Sequence, residues 1–230
     1  MFDVNILIPD FREILGAVPV TLAMAFVIFI LSTLIGSLFA LVEHRKIPVA
    51  RHFVTAYKIA FKGMPMVVVL FLGYFGLPSA LNFVGDTLGL DINGYATPNW
   101  VILVVALTSC VAAFQAEVVK GALNSFDSGQ SDAALSLGYS SRQLFRRVVF
   151  PQIVVSAIPD LANSIMVIMK AISLGFAIEV IDIFAQSQLT AALNFYYLEA
   201  FLVAVVIYMT IAYLVTTIAD RTEAALRIRT

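Results

Sequence analysis

Residues 18–42 read VPVTLAMAFVIFILSTLIGSLFALV, an apolar run containing no Asp, Glu, Lys or Arg. A helix rises about 1.5 Å per residue and the hydrocarbon core of a bilayer is about 30 Å thick, so roughly 20 apolar residues cross it. This run is long enough, and Pro19 suits a first helical turn, where a backbone N–H has no helical partner. Four further stretches read the same way: about 65–83, 100–116, 161–184 and 198–218. The third opens at Trp100, an interfacial anchor, and its apolar run ends near Phe114, so the helix is expected to continue into the polar residues beyond it.

Composition agrees with a membrane solvent. The chain has 230 residues, 61% of them hydrophobic and 13% charged, and a mean hydropathy of +0.96. Soluble domains carry about 25% charged residues, and so few charges could not cover a water-exposed surface without large apolar patches. A net charge of −1 excludes a polyanionic partner, so no nucleic acid is expected. The single cysteine, Cys110, excludes an intrachain disulfide and a cysteine metal cluster. His44 and His52 have no carboxylate constellation around them in the sequence and read as solvated loop residues. The chain opens Met1-Phe2-Asp3-Val4 and carries Asp10, so the basic segment of a cleavable signal is missing.

Orientation follows from the basic residues, which collect on the cytoplasmic side. Arg45, Lys46, Arg51, Lys58 and Lys62 follow the first span; Lys120, Arg142, Arg146 and Arg147 follow the third; Arg221, Arg227 and Arg229 lie in the tail. Twelve of the fourteen basic residues thus fall on one side, while Gly85 to Asn99 and Ala185 to Tyr197 hold none. Five spans, with the N-terminus outside and the C-terminus inside, fit this asymmetry. No soluble domain interrupts the layout, so the expectation is one all-α, polytopic membrane domain over 1–230.

The longest cytoplasmic connector, about 117–152, differs from the rest. Its surroundings, Gln115 to Gln152, read QAEVVKGALNSFDSGQSDAALSLGYSSRQLFRRVVFPQ. Helical signals alternate with breakers: Gly121, Ser128-Gly129, Gly138 and Pro151. Ser128 or Ser131 is placed to cap a short helix, with Asp132 near its N-terminal dipole. Over Ser131 to Leu137 that helix presents Ala133, Ala134 and Leu137 as a small apolar face, and Gly138 permits a sharp turn. A second helix sets Leu144, Val148 and Val149 opposite Arg142, Arg146 and Arg147 until Pro151 halts it. Such a segment either inserts into a groove on another protein or lies on the headgroups with its arginines facing anionic lipid.

These residues carry a resemblance. Asp132-Ala133-Ala134, followed by Gly138 and Pro151, is similar to the EAA loop of ABC importer permeases, the membrane subunits of binding-protein-dependent transporters. Ala116-Glu117-Val118-Val119-Lys120-Gly121, Gly129-Gln130, Phe61-Lys62-Gly63-Met64-Pro65, the aromatic-rich Leu70 to Pro78, and Met169-Lys170-Ala171-Ile172-Ser173-Leu174 resemble the polar amino acid branch of that family, in order and over about Val20 to Arg227. The chain departs from the pattern at Asp132 (usually Glu), at Lys62 and Lys120 (usually Arg) and at Ala171 (commonly acidic), and the last bears on the substrate.

The resemblance implies a type I ABC importer transmembrane fold in a bacterial cell membrane. It also implies a second permease, the same or homologous, two cytoplasmic ATP-binding subunits, and an extracytoplasmic substrate-binding protein delivering an amino acid. This chain has no G-x-x-x-x-G-K-[ST] segment, so ATP and Mg belong to the partner and no cofactor is expected here. Asp132, Ala133, Ala134, Leu137, Gly138 and Pro151 are the expected docking residues.

Within the spans, ionisable residues are functional candidates because lipid exposure is costly. Lys170, near the middle of the fourth stretch, pairs either with a substrate carboxylate or with Glu179 or a partner helix. Ser173, three residues on, either binds the same ligand or its own helix. Asn163 lines the path or bonds between helices. Glu179, nine residues beyond Lys170 and turned roughly to the opposite side, is a candidate for receiving the binding protein. Glu117 and Lys120 form an i,i+3 pair that is either a gate or a structural link. Ser32 with Gly36, and Thr33 with Ser37, are small residues at spacing four that permit close helix packing. No nucleophile–base pair or paired carboxylates point to catalysis. The rival readings are an ion-gradient-driven secondary transporter, against which an odd span number and the lack of a repeat count, and a membrane enzyme or assembly factor.

Overall fold

The computed structural model describes residues 3–126 and 128–227, the side chains of Ser128 and Ser131 excepted. The capping role expected of those two serines, and Arg229, therefore lie outside the described residues. Among the described residues ten α-helices succeed one another: α1 Leu7–Leu15, α2 Val18–His44, α3 Ala50–Gly63, α4 Met66–Leu88, α5 Asn99–Asn124, α6 Ser128–Ser136, α7 Ser141–Leu144, α8 Phe150–Ile172, α9 Ile183–Asn194 and α10 Tyr197–Arg227. There is no strand among the described residues. Five helical stretches among the described residues are long and apolar enough to cross a membrane: α2, α4, α5, the run Ser141–Ile178 that contains α7 and α8, and α10.

Helix α5 is the axis of the bundle. In its apolar window 67% of residues are buried, against 17% in α4 and α10, because α2, α3, α4 and α8 all pack on it. Lipid tails are as apolar as leucine, so helix association in a bilayer depends on close packing rather than on the hydrophobic effect. The α2–α5 seam meets that need with small side chains. Thr21, Ala25, Ser32, Gly36 and Ala40 of α2 are buried, as are Ala106, Cys110, Ala113 and Ala116 of α5. At Gly36 the two backbones come so near that an added Cβ would lie 2.6 Å from Gln115 Cβ and 2.8 Å from the Ala116 nitrogen. The expected Ser32–Gly36 stripe is this contact, whereas Thr33 and Ser37 are only half-buried beside it.

Several segments differ from their expected form. The connector after the first span contains α3, whose inward stripe is Val54, Lys58 and Phe61, at i, i+4 and i+7. His44 and His52 accordingly lie on helices, at the end of α2 and within α3, with exposed side chains. The segment expected as a loop between the last two spans holds α9, capped at its start by Asp182, which accepts from the Ala185 N–H at 2.9 Å. Gly121 does not break α5, which continues to Asn124. Pro151 does not halt a helix either. The turn before it, Phe145–Val149, is a π-turn, and Pro151 then occupies the first turn of α8, where its missing N–H costs little.

Candidate functional site

The expected docking residues sit at the basic end of the bundle. Helix α6 closes on a Schellman motif: the Tyr139 N–H donates to Ala134 O at 3.1 Å and the Gly138 N–H to Leu135 O at 2.9 Å. That motif needs a left-handed residue, and Gly138 supplies it with φ +85°. Space around Gly138 is open, so the backbone, not crowding, requires glycine there. Leu137, just before the turn, is 81% exposed, and Asp132 and Ala133 are exposed too. Ala134 departs from the expected apolar face. It is buried within the chain, because α6 packs back on α7 and the π-turn, and Gln152 Nε2 donates to Gln130 Oε1 at 2.7 Å to hold it there. The outward apolar set is thus Ala133, Leu135 and Leu137.

Helices α2, α3 and α5 meet in a separate cluster of charges. Lys58 of α3 lies 2.5 Å from Glu43 of α2 and 2.9 Å from Glu117 of α5, while Lys62 lies 3.7 Å from Glu117 and Lys120 lies 3.1 Å from Glu43. Glu117 and Lys120 are therefore not simply a pair within α5: the ion pairs lead from each of them to another helix. The i,i+3 spacing turns both side chains toward the same cluster, where closer opposite charges lie. Burial pushes the pKa of the Lys58 ammonium down, but hydrogen bonds to Glu43 and Glu117, together with their charges, push it up further, and the net shift is upward. A buried ammonium that touches two carboxylates stays charged and ties α2, α3 and α5 together.

The remaining candidates lie toward the other end. Lys170 is in the last turn of α8 rather than mid-helix, with its side chain exposed and no ion-pair partner among the described residues; the alternative pairing with Glu179 is not formed. Helix α8 ends at Ile172, twelve residues before the expected end of the span, and this places Lys170 in its last turn. Glu179 adopts a left-handed conformation, φ 62°, that costs a non-glycine residue about 1 kcal/mol. It faces a cavity of about 630 Å³ shared with Asn99, Trp100, Val20 and Val104, and Asn99 Nδ2 donates to Ile178 O at 2.7 Å just before it. Asn163 is exposed on α8. The hydroxyl of Ser173 is already engaged: it donates to Asp182 Oδ2 at 3.2 Å and lies 3.1 Å from the Tyr208 hydroxyl, which also donates to Asp182 at 3.1 Å.

Sequence reasoning missed Glu43, Lys58, Asp182 and Tyr208. The signal for Lys58 is its place in the Val54–Phe61 stripe of α3, and for Asp182 it is an acid standing between Ile181 and Ile183. The described residues contain no group of three or more His, Cys, Asp or Glu arranged to hold a metal.

Comparison with known proteins gives this arrangement a context. The family described as "binding-protein-dependent transport system inner membrane component" matches residues 32–228. The probable amino-acid permease protein YxeN of Bacillus subtilis (strain 168) is 32% identical, covering 97% of this chain and 96% of its own. The L-cystine transport system permease protein TcyL of the same organism is 33% identical over 93% of this chain and 87% of its own. Among solved structures, a chain of an amino acid ABC transporter crystallised with histidines superposes with a TM-score of 0.79 at 22% identity, covering 98% of this chain and 99% of its own. A chain of the MetNI methionine ABC transporter in an inward-facing conformation does so with 0.69 at 19% identity, covering 95% and 98%. With the fold, the order of helices and the matched length in agreement, this multi-pass membrane protein belongs to the family of binding-protein-dependent transport system inner membrane components.

Proposed function

We propose that the chain is the permease subunit through which an ATP-driven importer passes an amino acid across a bacterial cell membrane by alternating access. The observation that carries this reading is the short helix α6, with Leu137 81% exposed immediately before the Gly138 turn. A large apolar side chain held out by a rigid cap calls for a partner groove. In this reading the partner is a cytoplasmic ATP-binding subunit, one of two, which holds the ATP and Mg that this chain has no P-loop to hold. A second permease, the same or homologous, completes the path, and an extracytoplasmic binding protein delivers the substrate near Glu179. The N-terminus is outside and the C-terminus inside.

Docking at Asp132, Ala133, Leu137 and Gly138 lets closure of the ATP-binding pair pull on α5, which precedes α6, and on α8, which follows it through α7 and the π-turn. This biases a bundle with two arrangements toward one of them. The Glu43–Lys58–Glu117–Lys120 cluster ties α2 and α3 to α5, so they move with it. An amino acid substrate is supported by the names of the relatives, and Lys170, near the end of α8 and without an ion-pair partner among the described residues, is the group that would meet its carboxylate. Asn163 and Glu179 supply further polar contacts, and Ser173 acts through Asp182 rather than on the ligand.

Two measurements test this reading. Gly138→Asp places a side chain on a left-handed residue of the docking turn; it is expected to leave membrane insertion intact and to abolish substrate-stimulated ATP hydrolysis in the assembled complex. Unchanged transport would remove the docking assignment. A thermal-shift screen of the twenty amino acids on the complex, repeated with Lys170→Ala, is expected to single out a few ligands whose shift disappears in the variant.

A further inference from the structure

Two groups of cations at the basic end of the bundle differ in how they are paired. Lys58, Lys62 and Lys120 are all paired with Glu43 or Glu117. Arg142, Arg146 and Arg147 are exposed and have no carboxylate partner among the described residues. Three guanidinium groups within six residues repel one another unless an anion joins them. Together with Ser140 and Gln143 they line a cavity of about 530 Å³ whose lining residues are all polar or charged. The turn that carries them is fixed by a capping box: Ser140 Oγ accepts from the Gln143 N–H at 3.3 Å, and the Gln143 side chain accepts from the Ser140 N–H at 2.9 Å.

The residues C-terminal to this cavity fix its depth. The arginines occupy the first turns of the continuous helical run Ser141–Ile178, which is long and apolar enough to cross a membrane. Beyond them Phe150 and Val154, four residues apart on one face, are 52% and 37% exposed. Phe145, 49% exposed, lies among the arginines, its ring 5.9 Å from that of Phe150. Cations, then aromatic rings, then exposed aliphatic surface is the order met on passing from headgroups into acyl chains. A guanidinium fork matches a phosphate better than an ammonium does, because it donates two parallel N–H bonds.

We infer that Ser140, Arg142, Gln143, Arg146 and Arg147 form a binding site for the phosphate of an anionic phospholipid, with Phe145 and Phe150 against its upper acyl chains. The site anchors the start of α8 at a fixed depth. It depends on the membrane location of the chain, not on the identity of the transported solute.

The test uses the full chain, co-purified with its ATP-binding subunit, in nanodiscs of phosphatidylcholine mixed with phosphatidylglycerol. Lipid retained on the complex is counted by native mass spectrometry. The wild type is expected to retain phosphatidylglycerol over phosphatidylcholine, and R142Q/R146Q/R147Q to lose that retention by on the order of tenfold to a hundredfold. The charge-matched control R45Q/K46Q/R51Q, at the α2–α3 corner, is expected to retain it within about twofold. Equal retention of the two lipids by the wild type overturns the site without any variant. Undiminished retention in the arginine variant overturns it too. Loss of the ATP-binding subunit from that variant with phosphatidylglycerol still bound would make the arginines a protein-docking face instead.

Discussion

The α2–α5 seam and the α6 segment are built from the same residue types, small apolar side chains with a glycine at the decisive point, yet they end in opposite states. In the seam, Gly36 lets two backbones touch, and the residues it meets, Gln115 and Ala116, are fully buried. In α6, Gly138 turns the chain away, and Leu137 is left in the open. The first region is complete within one chain; the second, on the function proposed above, is the face that meets an ATP-binding subunit. A transporter subunit needs both, because a lever transmits force only if the body it is fixed to does not deform.

This contrast is best broken first on the seam. Gly36→Leu drives a side chain into the Gln115–Ala116 backbone, which cannot move aside, and is expected to cost about 3 kcal/mol or more. Fluorescence-detected size exclusion should show loss of the monodisperse peak. Lys58→Ala comes next. It leaves Glu43, whose side chain is 11% exposed, with Lys120 alone, and is expected to cost about 2–3 kcal/mol, read as a lower melting temperature. Asp10→Asn works in the other direction. Burial raises the pKa of Asp10, the Asn194 hydrogen bond lowers it, and Glu13 and Glu199 raise it again, for a net rise. A carboxyl with a raised folded-state pKa favours the fold below its ordinary value near 3.8 and loses that advantage as pH rises through the folded value. The amide is therefore expected to stabilise α1 against α9 and α10 by about 1 kcal/mol at neutral pH, with the gain vanishing as pH falls below that ordinary value. Leu137→Ser should change the stability of the isolated chain least, within about 0.5 kcal/mol. It should nonetheless weaken capture of the ATP-binding subunit severalfold, and a variant that captures it as well as wild type would sever the exposed leucine from docking.

The legibility of each region has the same physical origin. The five long helices could be read because an uninterrupted apolar run allows little else in a bilayer. Helices α3 and α9 were hidden, since a stripe broken by Lys58, or by Gln186 and Gln188, looks like a connector until its buried face is known. Gly138 could be read as a turn because its chemistry is local. Pro151 misled because the π-turn that accommodates it leaves no pattern in residue types. The charge cluster was only half visible: Glu117 and Lys120 are neighbours in sequence, whereas Glu43 and Lys58 join them only when three helices converge. Ser173 likewise looked free until Asp182 and Tyr208, nine and 35 residues away, were brought to its hydroxyl.

The sidedness of α6 tests the account most directly. Leu137→Cys in a Cys110→Ala background leaves one cysteine, at the tip of the turn. In intact cells the account predicts no labelling by a membrane-impermeant maleimide added outside; after the membrane is opened it predicts labelling of the chain made without the ATP-binding subunit, and a crosslink from that cysteine to the subunit when both are present. Labelling from outside in sealed cells would place the lever on the wrong face of the membrane and contradict it.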